Sequence, residues 1–174
     1  MSRLAALLLL SSCAPHVRTY YVSTDFPAAE YAAISRAARK WNHACDATLV
    51  TVDGQLDRSF DYARDWLEPN ERVVWLVNVH SADYAAMVDD QGTKWEGLYG
   101  VYGGPIAIAS DVQSKYIEHL ALHEFGHALG LRVHTQSGIM SAHGSKQSCI
   151  DSASLEAVCA INHCGPRRQM TCED

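Results

Sequence analysis

The stretch HEFGHALGLRVH, which begins at His123, sets a geometry that any fold of this chain must provide. On a helix, His123 and His127 lie one turn apart on the same face, so their imidazoles can bind one metal ion. Glu124 lies beside them and can act as a general base on a metal-bound water. Gly130 can end the helix in a left-handed conformation, and the chain then turns back so that His134 approaches the metal. Three protein ligands plus one water are typical of a catalytic zinc site.

The residues around this motif favour a helix that is built into the core. Leu122, Phe125 and Leu129 recur at core spacing between residues 115 and 131, which predicts a helix there. Histidine and glutamate are seldom placed in so apolar a helix unless they have a function. The alternative is a helix that carries two surface histidines. The glycine, the third histidine and the methionine that follow disfavour it.

The motif resembles that of the metzincin clan of zinc peptidases, and the matrixin-like branch most closely. The clan pattern is HExxHxxGxxH followed by a methionine turn. The chain matches the first four defined positions of that pattern, from His123 to Gly130. The clan spacing would place the third histidine at position 133, where this chain has Val133, and His134 follows one residue later.

The offset leaves two candidates for the third ligand, His134 and His143. We expect His134 to bind, because it lies close enough to Gly130 for the chain to return, with the extra residue taken up as a small bulge. The segment 137–140, SGIM, resembles the methionine turn, and the resemblance places Met140 beneath the metal. His143 would have to reach past Met140 and is the less favoured alternative.

The resemblance implies an α+β domain with a twisted mixed β-sheet, a backing helix, the active-site helix and a small C-terminal subdomain. It also implies a zinc-dependent endopeptidase, with Zn2+ as cofactor. His123, His127 and His134 would bind the zinc, and Glu124 would take a proton from the metal-activated water. The alternative is a lipid-anchored zinc-binding or interaction module without turnover. The offset third histidine supports that alternative, and Glu124 argues against it.

The N-terminal residues predict an exported lipoprotein. Residues 1–12 contain one arginine and a short apolar run, which suits a signal peptide and is too short to span a bilayer. The run ends in LSSC, which resembles a bacterial lipobox, so Cys13 is predicted to carry lipid. Ala14 favours the outer membrane of the bacterial cell envelope. The alternatives are an ordinary secretory signal, which would give a secreted protein, and a buried apolar arm.

A chain of 174 residues is long enough for one domain with its own core. We divide it into a signal peptide (1–12), a tether (13–18) and a metalloprotease domain (19–174), whose N-terminal part is 19–134 and whose C-terminal part is 135–174. The formal net charge is -6 and no basic stripe is visible, which argues against nucleic acid as the main partner. We expect a monomer that binds a peptide or protein substrate and reaches the membrane through its lipid anchor.

Cysteines other than Cys13 predict disulfides in an exported chain. Cys45 follows the apolar spacing of the first helix and would remain a buried free thiol. The other cysteines lie near the C-terminus, where two bridges are expected among Cys149, Cys159, Cys164 and Cys172. The alternative pairs Cys45 with one of them and leaves another free. A second zinc site is disfavoured because no CxxC pair occurs.

Apolar patterns place the remaining elements. A helix is predicted to open at Pro27 and to end near Trp41, and a last helix would span 153–161 behind a cap at Asp151 or Ser152. The dipeptide Asp53-Gly54 predicts a turn, and the polar sequence of 55–70 predicts a solvent-exposed connection. Strands are predicted at 19–23, 48–52, 72–79 and 105–109, with 72–79 central because it is apolar on both faces.

Overall fold

The computed structural model describes residues 16–69, 71–100, 104–141, 149–166 and 172. Its strands are β1 (Arg18–Ser23), β2 (Val50–Leu56), β3 (Val73–Val77), β4 (Gly97–Tyr99) and β5 (Ile106–Ala109). Its α-helices are α1 (Ala28–Ala44), α2 (Ala82–Gln91), α3 (Ile117–Ala128) and α4 (Ser152–Asn162). A π-helical turn (Ala63–Leu67) precedes β3, and a 3-10 turn (Ser114–Tyr116) leads into α3.

The five strands form one mixed sheet in the order β2-β1-β3-β5-β4. The pairs β1–β2, β1–β3 and β3–β5 are parallel, whereas β4 runs antiparallel to β5 and forms one edge. Strand β3 lies at the centre, as its apolar sequence predicts, and four of its five residues are buried. The predicted α+β class with a mixed sheet is therefore confirmed.

Helix α1 is the backing helix, and it packs directly on α3. Ile34 and Trp41 are fully buried, and the Trp41 indole N–H donates to the carbonyl of Leu122 at 2.9 Å. The exposed side of the same contact is held by Glu118, which pairs with Arg36 at 2.8 Å and with Lys40 at 2.6 Å. The helix that carries the motif is thus fixed from behind by apolar packing and at its rim by two ion pairs.

The predicted turn at Asp53-Gly54 is wrong, because β2 continues through both residues to Leu56. The register of β1 against β2 shifts between Tyr20 and Val22, and Gly54 has a φ of 133°. Glycine adopts such a φ without a Cβ clash, so it absorbs a bulge within the strand instead of reversing the chain.

The predicted solvated connection at 55–70 is only partly right. Asp65 lies in the π-helical turn and is buried, and its carboxylate accepts hydrogen bonds from Arg58 and Arg64. The Arg58 guanidinium also lies over the ring of Trp75, 4.9 Å from its centroid. This ion-pair group covers the second apolar cluster of the molecule, on the face of the sheet opposite α1.

The predicted signal peptide and Cys13 lie outside the described residues, as does His143. Among the residues that are described, none of the helices combines the length and the apolar character needed to cross a bilayer.

Candidate metal centre and active site

Helix α3 carries the HExxH residues within its last two turns. Leu122 and Phe125 face the core and are fully buried, which leaves His123, Glu124 and His127 facing the cleft. His123 and Glu124 are themselves buried, and His127 is half-buried. The helical spacing predicted from the sequence is therefore the spacing that the structure shows.

Gly130 ends the helix and turns the chain back. Its φ is 109°, and its N–H donates to the carbonyl of His127 at 2.9 Å. Leu131 donates in the same way to the carbonyl of Gly126 at 3.0 Å. An L side chain rarely adopts a φ of this sign, so glycine permits the reversal that carries His134 to the cleft.

The three predicted histidines converge through one nitrogen each. The Nε2 atom of His127 lies 3.1 Å from that of His123 and 3.2 Å from that of His134. The Nε2 atoms of His134 and His123 are also 3.2 Å apart. The imidazole of His134 therefore reaches those of His123 and His127 despite the one-residue offset. That His134 binds a metal ion stays a prediction.

The opposite ring nitrogens are fixed by backbone carbonyls. His123 Nδ1 lies 2.8 Å from the carbonyl oxygen of Ile139, and His127 Nδ1 lies 2.5 Å from that of Leu131. A carbonyl only accepts, so each Nδ1 carries the proton and each Nε2 keeps its lone pair toward the other two. Metal-binding histidines commonly donate their other ring N–H to an oxygen atom in this way.

These positions fit a tetrahedral zinc ion. Zinc–nitrogen bonds of about 2.0–2.1 Å at tetrahedral angles place ligand nitrogens roughly 3.4 Å apart. The observed separations of 3.1–3.2 Å are close to that value. Three lone pairs that point at one another repel unless a cation lies between them, so the arrangement itself favours a bound metal.

Burial keeps the inner two histidines in the neutral form that a metal requires. It lowers the pKa of His123 to about 4, and the hydrogen bond to Ile139 offsets this only in part. It also lowers the pKa of His127, with the neighbouring His134 acting in the same direction. Both rings are therefore uncharged at neutral pH.

Glu124 is a buried carboxyl group beside this centre. Burial raises its pKa to about 8. Its Oε2 atom is one of two buried side-chain polar atoms in the described part of the chain that lack a hydrogen-bond partner. A carboxyl group in a cleft whose pKa is shifted by burial is a candidate for proton transfer.

The first residue of the edge strand makes room for that carboxyl group. A Cβ added to Gly97 would lie 2.7 Å from Oε1 of Glu124. The sequence analysis did not identify this role of Gly97. The signal was the glycine itself, since close approach of a backbone to a functional group is one use of that residue.

Met140 is fully buried, and its sulfur lies so close to Gly126 that a Cβ added there would clash with Sδ. Gly126 is in α3 between the two histidines of the motif. The residue before Met140, Ile139, supplies the carbonyl that orients His123. The segment 137–140 is therefore packed directly beneath the helix that carries the motif.

Asp151 holds this segment in place. Its Oδ2 accepts from the N–H of Ile139 at 2.9 Å and from the hydroxyl of Ser154 at 2.9 Å. Its Oδ1 caps α4 by accepting from the N–H of Ser154 at 2.8 Å. The sequence predicted the cap, but the bond to Ile139 could not be read from local spacing.

A second group of metal-ligand side chains lies away from the cleft. The sulfurs of Cys45, Cys159 and Cys164 all lie within 4.8 Å of one another. Of the two bridges expected near the C-terminus, Cys149–Cys172 is formed, with its Cα atoms 5.5 Å apart. The second is not, since the sulfurs of Cys159 and Cys164 are 2.8 Å apart. Cys45 is a buried free thiol, as predicted.

Comparisons with known proteins give structural likeness without recognisable sequence similarity. No family model matches the chain, and no curated protein matches it. Among solved structures, the chain is similar to high choriolytic enzyme 1, a hatching enzyme zinc-protease from the medaka fish Oryzias latipes. The identity is 14%, the TM-score is 0.46, and the match covers 90% of this chain and 97% of that one. At this level the likeness assigns neither residues nor activity to this chain.

Proposed function

We propose that this protein is a zinc-dependent endopeptidase of metzincin type. The observation that carries the proposal is the convergence of three Nε2 atoms within 3.1–3.2 Å in a cleft that also contains the buried carboxyl group of Glu124. A purely structural zinc site has no need of that carboxyl group, whereas hydrolysis does.

His123, His127 and His134 would hold the metal through Nε2. When bound, a zinc ion polarises the scissile carbonyl group and makes a water molecule a stronger nucleophile at neutral pH. The carbonyls of Ile139 and Leu131 keep His123 and His127 oriented for this purpose.

Glu124 would transfer the proton. Its carboxylate accepts a proton from the attacking water, and the resulting acid donates it to the leaving amine. Burial raises the pKa of Glu124, and this favours the protonated form that donates to the leaving amine. The partner-free Oε2 atom leaves one oxygen of the carboxyl group available for that exchange.

Strand β4 would hold the substrate. It is an edge strand that pairs only with β5 in the described sheet, and Gly97 and Leu98 line the cleft. An extended peptide can add to such an edge through backbone hydrogen bonds. The cleft has a volume of about 760 Å³, which is large enough for several side chains.

The test pairs two substitutions with opposite expectations. Glu124→Gln should keep stoichiometric zinc and the fold, while hydrolysis of denatured casein falls at least about 100-fold because the general base is lost. His134→Ala should lose most of its zinc because one of three ligands is gone. His43→Ala, an exposed histidine on α1, is the control for both measurements.

Metal content and turnover together separate the candidate functions. Wild-type protein that binds zinc but cleaves neither casein nor mixed peptides would support the alternative, a zinc-binding module without turnover. Near-normal activity of Glu124→Gln would remove that residue from the mechanism, and full zinc content in His134→Ala would remove that histidine from the metal site.

We also propose that the protein is exported and anchored by lipid at Cys13, as a monomer on the bacterial outer membrane. The lipobox-like sequence at Cys13 supports this, and the Cys149–Cys172 disulfide is consistent with an oxidising compartment outside the cytosol. Its partner would be a peptide or protein substrate.

A further inference from the structure

Three cysteine thiols meet where the end of α1 lies against the end of α4. Cys45 directly follows α1, Cys159 lies in the last turn of α4, and Cys164 follows that helix by two residues. Their sulfur atoms all lie within 4.8 Å of one another. None of the three residues lines the cleft that holds the histidines. This thiol cluster is therefore separate from the proposed zinc centre.

The backbone turns sharply next to two of these cysteines. Asp46, directly after Cys45, has a φ of 49°, and His163, directly before Cys164, has a φ of 55°. In the described part of the chain, these are the two non-glycine residues with a positive φ, a conformation that is uncommon for them. The turn at His163 lets the N–H of Cys164 donate to the carbonyl of Cys159 at 3.1 Å. The sulfurs thus converge from separate segments, which needs no CxxC pair.

Apolar core surrounds the thiol cluster. Cys45 and Cys159 are buried and belong to the main core, and the half-buried Cys164 packs against it. Among the described residues, no histidine nitrogen or carboxylate oxygen belongs to the cluster. A site made only of sulfur selects soft metal ions and disfavours hard ones such as Mg2+ and Ca2+. The partial exposure of Cys164 gives such an ion a path from the solvent.

The sulfur positions suit one metal ion better than one disulfide. A disulfide would use two of the three sulfurs, whereas a metal ion bonds to all of them. Metal–sulfur bonds of about 2.3 Å around one ion place three sulfurs about 4 Å apart. The Cys159–Cys164 pair is closer than this, at 2.8 Å, and no pair is farther apart than 4.8 Å. Small side-chain rotations, chiefly of the half-buried Cys164, would bring the three to equal distances.

We propose that Cys45, Cys159 and Cys164 form a second metal site, which binds Cu(I). Structural zinc sites use four protein ligands, whereas three thiolates are sufficient for Cu(I). Burial raises the pKa values of Cys45 and Cys159, so a metal must displace their protons to the solvent. This requirement favours an ion that bonds strongly to thiolates. The bound ion would connect the end of α1 to the end of α4, and the site does not depend on the proposed peptidase function.

The experiment titrates Cu(I) into the zinc-loaded full chain without oxygen, with bicinchoninate as the competing chelator. Peptide mapping first verifies that Cys149–Cys172 is closed and that the three other thiols are free. The wild type should bind one Cu(I) beside its zinc, and X-ray absorption at the copper edge should show sulfur ligands only. The melting temperature should rise on binding, because the site exists only in the folded state.

Substitutions in both centres assign the copper. Cys45→Ala and Cys164→Ser should each weaken Cu(I) binding at least about tenfold, since even the loss of a residue that only hydrogen-bonds to a metal ligand can cost this much. Both variants should keep their zinc, which verifies that they fold. His134→Ala is the reciprocal control and should keep its Cu(I) while it loses zinc. Cys13→Ser, which removes a cysteine other than these three, should bind Cu(I) as the wild type does.

The copper-loaded protein should also resist closure of Cys159–Cys164 by oxidised glutathione, because both sulfurs are bound. Lack of Cu(I) uptake by protein whose three thiols are free would overturn the inference. Copper bound to nitrogen, or unchanged affinity in both cysteine variants, would overturn it as well. So would a Cys159–Cys164 bridge that is already closed after purification without oxygen, since only Cys45 would then remain. None of these results bears on the peptidase proposal, which is tested by zinc content and turnover.

Discussion

Gly97 sets how closely strand β4 approaches the carboxyl group of Glu124. An added Cβ would lie 2.7 Å from Oε1, so Gly97→Ala should push the carboxyl group aside. Displacement of a catalytic group by about 1 Å typically costs on the order of 100-fold in rate. We expect kcat/KM to fall at least about tenfold while zinc content and the melting temperature stay near the wild-type values.

Gly165→Ala is the control for this change, because an added Cβ at Gly165 would meet nothing within 4 Å. Activity, zinc content and melting temperature are measured on both variants. Full activity of Gly97→Ala would mean that the position of the Glu124 carboxyl group does not limit the reaction.

The contrast between Gly97 and the histidines shows what local spacing can predict. His123 and His127 are related by one turn of a single helix, so their common face follows from the sequence alone. The approach of His134 required only a short reversal at Gly130. Gly97 and Glu124 meet because the edge of a sheet lies beside a helix, and such a contact between distant segments is not encoded in any local pattern.

Among the elements, those with a strong apolar pattern were predicted and those that depend on tertiary partners were not. Helix α3 buries its apolar residues Leu122 and Phe125, and strand β3 is buried on both faces, as its continuous apolar sequence predicts. Asp53-Gly54 reads locally as a turn, but pairing with β1 carries β2 through it. Asp65 reads as a solvated charge, yet it is buried because Arg58 and Arg64 bond to it.

The ion pairs between α1 and α3 give a prediction for stability. Burial acts to raise the pKa of Glu118, but hydrogen bonds from Lys40 and Arg36 outweigh it and leave the pKa below its usual 4.5. A carboxyl group with a lowered folded-state pKa stabilises the fold above the unfolded-state pKa and loses that effect as pH falls. Glu118→Gln should therefore lower the free energy of unfolding by about 1 kcal/mol at pH 7.

The pH profile tests the cause. The difference between wild type and Glu118→Gln should be constant above about pH 5.5, where the carboxyl group is ionised in both folded and unfolded states. It should shrink as pH falls through 4.5 and below. Urea unfolding of both proteins, in chelator so that metal binding does not contribute, measures the difference. A gap that stays constant down to pH 3 would show that packing, and not charge, is responsible.

The three free cysteines where the end of α1 meets α4, Cys45, Cys159 and Cys164, give a second prediction at this scale. Burial raises the pKa values of Cys45 and Cys159, the latter to about 12, so their reactive thiolate forms are scarce. We expect oxidised glutathione to close Cys159–Cys164, whose sulfurs are already 2.8 Å apart.

Peptide mapping after alkylation follows the cysteine states. In the folded protein the half-buried Cys164 should be alkylated first, and Cys45 only after unfolding. After oxidation, mapping should find the Cys159–Cys164 bridge beside Cys149–Cys172, and Cys164→Ser should prevent the new bridge. A bridge that includes Cys45 would contradict the predicted pairing and would link α1 covalently to the C-terminal part.

For the whole molecule, the N-terminal sequence and the overall charge predict how the protein associates with a membrane. A formal net charge of -6 disfavours adsorption to an anionic membrane surface, so we expect membrane association to depend on lipid at Cys13. Cys13→Ser should move the protein from the membrane pellet to the soluble fraction and should abolish labelling by palmitate, because a hydroxyl group replaces the thiol that carries the lipid.

Ser12→Ala, which changes the neighbouring residue and keeps the thiol, should stay in the pellet and stay labelled. Wild-type protein that is already soluble and unlabelled would exclude the anchor and leave the secreted form as the alternative.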